Sequence, residues 1–538
     1  MANNVTQQKT TTIVFMDNEM ETAPLVGSGE RSSQLVQLLS DIEAKSQIKA
    51  LRQQSIAAFD YPDLYVSNSY KTDPTVASFK RFCMQKGLEL NVHHVDMDEI
   101  NALNNTASLN EPNQDQQSQA ILTFHELTVA ATKVWASDIH IVVMPGSTNI
   151  KFRINGDLTE HSQITSEHGK SLCSAIYQAL ADVAGTHFQV GIQQDAQISN
   201  ERLRSELRDK VNGIRIATSP TSDGHLMVLR MLYEQSIDGV KFEDLGYSED
   251  QVKLIEILKR NATGINIFVG PTGSGKSTSL KMALSQIDED YESQLHILTV
   301  EDPPEYPING ANQIPVTNAK TIEERKAAFN SVVRASLRLD PDLIMIGEVR
   351  DEVTAELAIN AAMTGHRVWT TLHANSALVA IQRLAILNVD LNLLVDQDVF
   401  QGVIAQRLVK ILCPHCKLTF EEGLANQKLA QQIAKADMLL RLKALPSFDL
   451  NAVFWKNPEG CSQCVLGSPV RGRTVVAEVL IPDNEMMVHI IERNWRLVRQ
   501  HWLKIGGKTM MMHAIEKISE GLIDPFSAEL VLGRISLD

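Results

Sequence analysis

The sequence predicts an α/β chain: a parallel-sheet core around a phosphate loop, an α+β module before it, and a largely helical, cysteine-clipped region after it. Three observations predict this. From about residue 245 helices and apolar strands alternate, which is the rhythm of a parallel sheet with crossover helices. The stretch GINIFVGPTGSGKST (264–278) places a glycine-rich loop between an apolar run and a helix. Four of the 6 cysteines form two CxxC pairs, CPHC at 413–416 and CSQC at 461–464.

Composition sets the outer limits. A chain of 538 residues is long enough for three or four domains at ~150 residues each. Hydrophobic residues make up 43%, enough for packed cores, and with aromatics at 5% those cores are mainly aliphatic. Lys+Arg 50 against Asp+Glu 65 gives a net charge of −15, which argues against broad binding of nucleic acid. No run of ~18 apolar residues suggests a membrane span. The start, MANNVTQQKTTTIVFMDNEME, lacks the basic, apolar and small-residue parts of a secretory signal. A cytoplasmic chain with reduced thiols is therefore expected.

Four regions are expected. Residues 1–120 comprise a polar tail, a helically spaced stretch (SSQLVQLLSDIEAKSQIKALRQQ, 32–54) and a linker rich in Asn, Gln and Ser at 101–119. Residues 121–240 hold a helix, then strands SDIHIVVM and NIKFRINGDL with turns at Pro145-Gly146 and Asn155-Gly156, then strands NGIRIATSP and HLMVLRML. Residues 241–412 form the α/β core. Residues 413–538 carry the cysteine motif and further helices.

Gly270, Gly275, Lys276 and Ser277 fit the pattern G-x-x-x-x-G-K-[ST]. Glycines let backbone N–H groups converge on phosphate oxygens, and the helix that follows adds its positive end. The nucleotide-binding set is thus Gly270, Pro271, Thr272, Gly273, Ser274, Gly275, Lys276, Ser277 and Thr278. Lys276 can reach the terminal phosphates of ATP, and Ser277 supplies a hydroxyl to Mg²⁺. The apolar run Leu343–Ile346 ends at Gly347-Glu348, and LHILTV ends at Glu301-Asp302. Carboxylates at the ends of parallel strands sit where ligands bind in such sheets. Glu348 can orient or deprotonate the attacking water, or hold Mg²⁺ through water. His366 opens the strand RVWTTL and His373 follows it, where a side chain can sense a terminal phosphate.

Two CxxC pairs in one reduced chain make a four-cysteine set suited to tetrahedral Zn²⁺, through Cys413, Cys416, Cys461 and Cys464. The long gap between the pairs implies a metal that staples a helical excursion at its base. A redox pair fits less well, because neither pair opens the helix of a thioredoxin-like unit. His415 is expected to point away, and Cys83 and Cys173 to be core thiols.

These segments resemble the secretion ATPase superfamily. GPTGSGKST, VEDPPE, LRLDPDLIMIGEVRD and TGHRVWTTLHANSA follow the order and spacing of its Walker A, Asp box, Walker B and His box. The likeness is greatest to the motors of type IV pilus assembly, type IVb-like, and of type II secretion. It covers about 121–538, with ASDIHI, RINGDL, QRLVKILCPHC and GCSQCVLGSPVRGRTVVAEVL. It implies a RecA-like core, a PAS-like N-terminal module and a homo-hexameric ring that binds ATP between module and core. It implies that Arg153, Arg215 and Arg230 reach the phosphates and that Glu348, Glu301, His366 and His373 serve catalysis. It further implies a peripheral position at the inner membrane, held by a polytopic platform protein and other assembly proteins. The chain departs from the family with Asn155 before Gly156, where Asp is usual, and Ala196 after Asp195, where Gly is usual. Competing readings are a retraction motor, a DNA-transfer ATPase, a zinc-containing nucleic-acid-binding protein and a non-catalytic scaffold.

Overall fold

A computed structural model describes residues 57–60, 63–68, 73–85, 90–96, 114–182, 188–234, 239–304, 306–316, 322–394, 396, 398–464 and 468–536. The helical stretch expected at 32–54 lies outside them. Two compact units divide at Ile121 and Leu122.

In the first unit, strands β1 (Ala57–Asp60) and β2 (Asp63–Ser67) pair antiparallel, and β2 pairs parallel with β3 (Asn91–Val95). Helix α1 (Pro74–Gln85) makes the crossover and buries Val76, Phe79, Phe82 and Cys83, an amphipathic spacing. Burial pushes the Cys83 thiol up to about 11, as suits a core thiol.

Helix α2 spans Gln114–Lys133 and so begins inside the stretch expected to be a linker. After Pro112 that stretch has neither Pro nor Gly, and its glutamines are fair helix formers. An antiparallel sheet follows: β4 (Asp138–Val143), β5 (Thr148–Ile154), β6 (Asp157–Ile164), β7 (Gln194–Ser199), β8 (Val211–Thr221) and β9 (Gly224–Tyr233), in the order β6-β5-β4-β9-β8-β7. The turn between β5 and β6 has Asn155 at φ 50° and Gly156 at φ 90°, the paired left-handed conformations that Asn-Gly favours. Helix α3 (Ser166–Ala175) packs Leu172 and Cys173 into the apolar core of this sheet. Cys173 is fully buried, and its thiol is pushed up to about 12.

Short helix α4 (Ser205–Arg208) precedes β8, and α5 (Phe242–Leu245) and α6 (Glu249–Arg260) lead into the core. Its strands and helices are β10 (Gly264–Val269), α7 (Lys276–Asp290), β11 (Ile297–Glu301), β12 (Ala311–Pro315), α8 (Ile322–Ser336), β13 (Leu343–Ile346), α9 (Glu352–Met363), β14 (Arg367–Leu372), α10 (Ala377–Ile386) and β15 (Phe400–Leu412). The sheet order is β12-β11-β13-β14-β10-β15-β18, parallel except for the last pair. Every residue of β10 and β14 is buried, which is why apolar residues fall on both faces of each strand, with Asn266, Arg367, Thr370 and Thr371 as the buried polar exceptions. Ile265, Ile267 and Val269 face α9 and α10 on one side, while Phe268 and Trp369 face Leu280 and Leu284 of α7 on the other.

The region after 412 contains the expected helices and also strands, two of them short and one long. Between the CxxC pairs lie β16 (Leu418–Thr419), α11 (Phe420–Ala425), α12 (Gln427–Lys435), α13 (Met438–Ala444) and β17 (Phe454–Trp455). The chain then returns as β18 (Val470–Leu480), antiparallel to β15, and becomes the seventh strand of the core sheet. Its run TVVAEVL is buried throughout, which a surface helix would not allow. Helices α14 (Asn484–Ile491), α15 (Trp495–Lys504), α16 (Met510–Ser519) and α17 (Pro525–Leu532) complete the unit. Among the described residues no helix is long and apolar enough to cross a membrane.

Candidate active site and metal centre

The loop 270–275 leaves β10 and enters α7 at Lys276, as expected. Two glycines are required by close approach. A Cβ at Gly270 would lie 2.4 Å from Ser274 Oγ and 2.5 Å from the Gln406 carbonyl oxygen. Gly275 closes the loop at φ 84° and caps α7. Lys276 is largely buried, and its ammonium donates to the carbonyls of Gly270 (2.7 Å) and Pro271 (3.0 Å). Pro271, Thr272, Gly273 and Ser277 are exposed, Ser274 is buried, and Thr278 is half-buried. The Ser277 hydroxyl thus stands open on the first turn of α7. A cavity of about 650 Å³ adjoins the loop, lined by Pro271, Thr272, His373, Asn375 and Arg383 among others. That volume suits a small-molecule site.

Three predicted residues gather at the same edge of the sheet. Glu348 follows β13; its two oxygens are separately engaged, Oε2 accepting from Arg350 Nε at 2.8 Å and Oε1 lying 3.2 Å from His373 Nε2. His373 follows β14, the neighbour of the loop strand. Burial and then the charge of Lys276 lower its pKa, against an opposing pull from Glu348, so the imidazole is neutral at pH 7. Its Nε2–H tautomer would donate to Glu348. Glu301 ends β11 and accepts from Thr299 Oγ (2.9 Å) and Gln313 Nε2 (2.8 Å). Next to it, Asp302 accepts from Arg325 (2.9 Å) and Arg350 (3.4 Å), so Arg350 ties the turn after β11 to Glu348.

His366 is not in this group. It precedes β14 at the opposite edge of the sheet, seven residues from His373, or about 23 Å of extended strand. Its Nδ1 lies 3.1 Å from both the Ala361 carbonyl and Thr364 Oγ, in the turn after α9.

The three arginines share a row across four strands. Asp138 on β4 is in register with Arg153 on β5 and Arg230 on β9, and Arg230 is in register with Arg215 on β8. Arg230 Nε donates to Asp138 at 3.0 Å, and Arg153 Nε lies 3.7 Å from the other carboxylate oxygen. Arg215 Nη2 donates to the Pro303 carbonyl at 3.4 Å, which brings β8 to the turn beside Glu301. Asp138 and Arg350 carry no local sign of these partners in the sequence. A buried acid in register with arginines on both sides becomes visible only once strand pairing is known.

The four CxxC thiols form one cluster, with all Sγ atoms within 4.8 Å of one another. Sγ separations are 4.0 Å for Cys413–Cys461 and 3.6 Å for both Cys416–Cys464 and Cys461–Cys464. Four sulfurs at ~2.3 Å from a tetrahedral zinc stand about 3.8 Å apart, so the donor set fits. The pairs sit where β15 ends and β18 begins, with Leu412 opposite Val470, so the helices α11–α13 form an excursion closed at its base by the thiols. His415 is exposed.

Residues 113–530 match the family described as type II/IV secretion system protein. The chain is 34% identical to type II secretion system protein E of Klebsiella pneumoniae over 72% of its own length and 71% of the relative's. The protein of the same name from Pseudomonas aeruginosa is 34% identical over 76% and 74%. A third relative, type II secretion system ATPase E of Vibrio cholerae, is 31% identical over 73% and 71%. Among solved structures, the ATPase DotB of Legionella pneumophila superposes with a TM-score of 0.52 at 20% identity, over 76% of this chain and 95% of that one, which shows a shared fold. The match takes in the six- and seven-stranded sheets, the phosphate loop and the cysteine cluster, and by it the chain belongs to the type II/IV secretion system protein family.

Proposed function

We propose that the chain is an ATP-hydrolysing motor, working as a homo-hexamer, that powers assembly of a type IV pilus or a type II secretion pseudopilus. The observation that carries this reading is the convergence of the Lys276 loop, Glu301, Glu348 and His373 at one edge of a parallel sheet. ATP binds with its phosphates against the N–H groups of 270–278, and Lys276 exchanges its loop carbonyls for phosphate oxygens. The Ser277 hydroxyl would hold Mg²⁺, whose charge would offset that of the phosphates. Glu348 takes the proton of the attacking water, while Arg350 and His373 hold its carboxylate in place. Glu301, fixed by Thr299 and Gln313, orders water at the neighbouring strand end. Arg153, Arg215 and Arg230 supply positive charge from the N-terminal module when module and core close, so that hydrolysis moves the two against each other. His366 stands outside this same-chain chemistry. Cys413, Cys416, Cys461 and Cys464 would hold Zn²⁺, which would fix the base of the helical excursion.

Residues 1–120 serve as the docking region for a polytopic platform protein, which holds the ring at the cytoplasmic face of the inner membrane. The test is affinity capture from solubilised membranes with the full chain and with a chain beginning at residue 114. The platform protein and pilins should be recovered with the full chain and lost with the shortened one. Recovery of DNA-processing proteins in their place would turn the reading toward DNA transfer.

A further inference from the structure

The phosphate loop is held from behind by a chain of buried polar groups that lies outside the phosphate-binding motif itself. Gln406 lies in the middle of β15 and is completely buried among apolar residues. Its Nε2 donates to the Ser274 carbonyl at 2.8 Å. Its Oε1 accepts from the hydroxyl of Tyr247, which also lies 3.2 Å from Ser279 Oγ on α7. The amide orientation is fixed, since a flipped amide would set its oxygen against the Ser274 carbonyl. Tyr247 is 3% exposed, and burial pushes its hydroxyl pKa up, so it remains a donor. It directly follows Gly246, the left-handed residue that closes α5, and its ring packs edge-on against Phe242 at 5.3 Å. The chain thus runs from the segment joining the two sheets to the loop itself.

We propose that Gln406 and Tyr247 are positioning residues for nucleotide binding, acting by fixing the Ser274–Gly275 peptide. In a planar trans peptide, the C=O of Ser274 and the N–H of Gly275 point in opposite directions. Anchoring that carbonyl on β15 therefore aims the Gly275 N–H away from β15 and toward the space a phosphate occupies. Gly275 leaves no slack in this arrangement, because a Cβ there would lie 3.1 Å from Gln406 Nε2. Without the amide, the Ser274 carbonyl loses its buried donor and the peptide is free to rotate. The inference rests on the phosphate-loop reading and adds to it the residues that set the geometry of the loop.

The experiment measures the Kd of the full chain for Mg²⁺ with a fluorescent N-methylanthraniloyl-ADP, for Gln406→Leu, Tyr247→Phe, the double variant and Lys276→Ala, well below the melting temperature of each. Gln406→Leu should raise Kd about tenfold and Tyr247→Phe about threefold, the scale of a buried hydrogen bond lost in the bound state. The double variant should bind no more weakly than Gln406→Leu, because Tyr247 acts through the amide. The KM for ATP should rise with Kd while kcat at saturation stays within about threefold. Wild-type Kd in both single variants, alongside lost binding in Lys276→Ala, would overturn the positioning role and leave the phosphate loop standing. Wild-type Kd in Lys276→Ala would overturn the loop reading itself. Melting temperatures that fall while Kd holds would reduce Gln406 and Tyr247 to core residues and likewise overturn the inference.

Discussion

Glu348→Gln should bind nucleotide like the parent chain and hydrolyse it roughly 10²–10⁴ times more slowly, the range ascribed to a positioned general base. The substitution keeps the shape of the side chain and removes its charge and basicity. The surroundings make that loss specific. Glu348 sits between the Arg350 guanidinium at 2.8 Å and His373 Nε2 at 3.2 Å, so its carboxylate accepts from Arg350 and lies against an imidazole from the next strand. His373 is kept neutral by burial and by Lys276, and so cannot substitute as a cationic partner at pH 7. Nothing in the substitution touches the loop 270–275, so affinity should stay within about threefold. Single-turnover phosphate release with equilibrium binding on the same preparation checks both halves. Full turnover in this variant would remove Glu348 from the chemistry.

Loss of the metal should have the second large effect, on stability. Structural zinc contributes an apparent ~10–16 kcal/mol to the domains it folds. Here it would join the end of β15, the start of β18 and the base of α11–α13, whose apolar face rests on Val409, Val476 and Ile518. Cys413→Ser should leave well under one equivalent of zinc and lower the melting temperature by roughly 5–10 °C, given a few kcal/mol lost. Cys413 lies eight residues, about 26 Å of strand, beyond Ala405, the register partner of Val269 before the loop. Nucleotide affinity of the folded fraction should therefore change little. Metal analysis with calorimetry checks this, and full zinc content in Cys413→Ser would contradict the four-thiol site.

The parts of the sheet that bind phosphate were the most legible in the sequence. β10, β13 and β14 are buried on both faces and so carry apolar residues without a two-residue alternation, and glycines mark the loop. The Asn155-Gly156 turn was equally plain, because its backbone conformation suits those two residues. β18 was not legible, since a strand that pairs across a 57-residue excursion (413–469) carries no local sign of its partner. The start of α2 was masked by polar residues that serve a helix as well as a linker. The two histidines share one short motif, yet the length of β14 carries His366 to the far edge of the sheet. Arg350–Asp302 and Gln406–Ser274 join residues 48 and 132 positions apart, and such contacts arise only from the fold. The available sign for Gln406 was an amide following the apolar run Val403–Ala405, which burial allows only when it is hydrogen-bonded.

In the proposed function, this chain turns ATP hydrolysis into work through the loop at Lys276. The most direct measurement is steady-state phosphate release by the purified full chain with Mg²⁺ and ATP, beside Lys276→Ala at the same concentration. The parent chain should release phosphate, and release should fall about 100-fold or more in the variant, which lacks the cation that meets the terminal phosphates. Equal rates in the two proteins would contradict it.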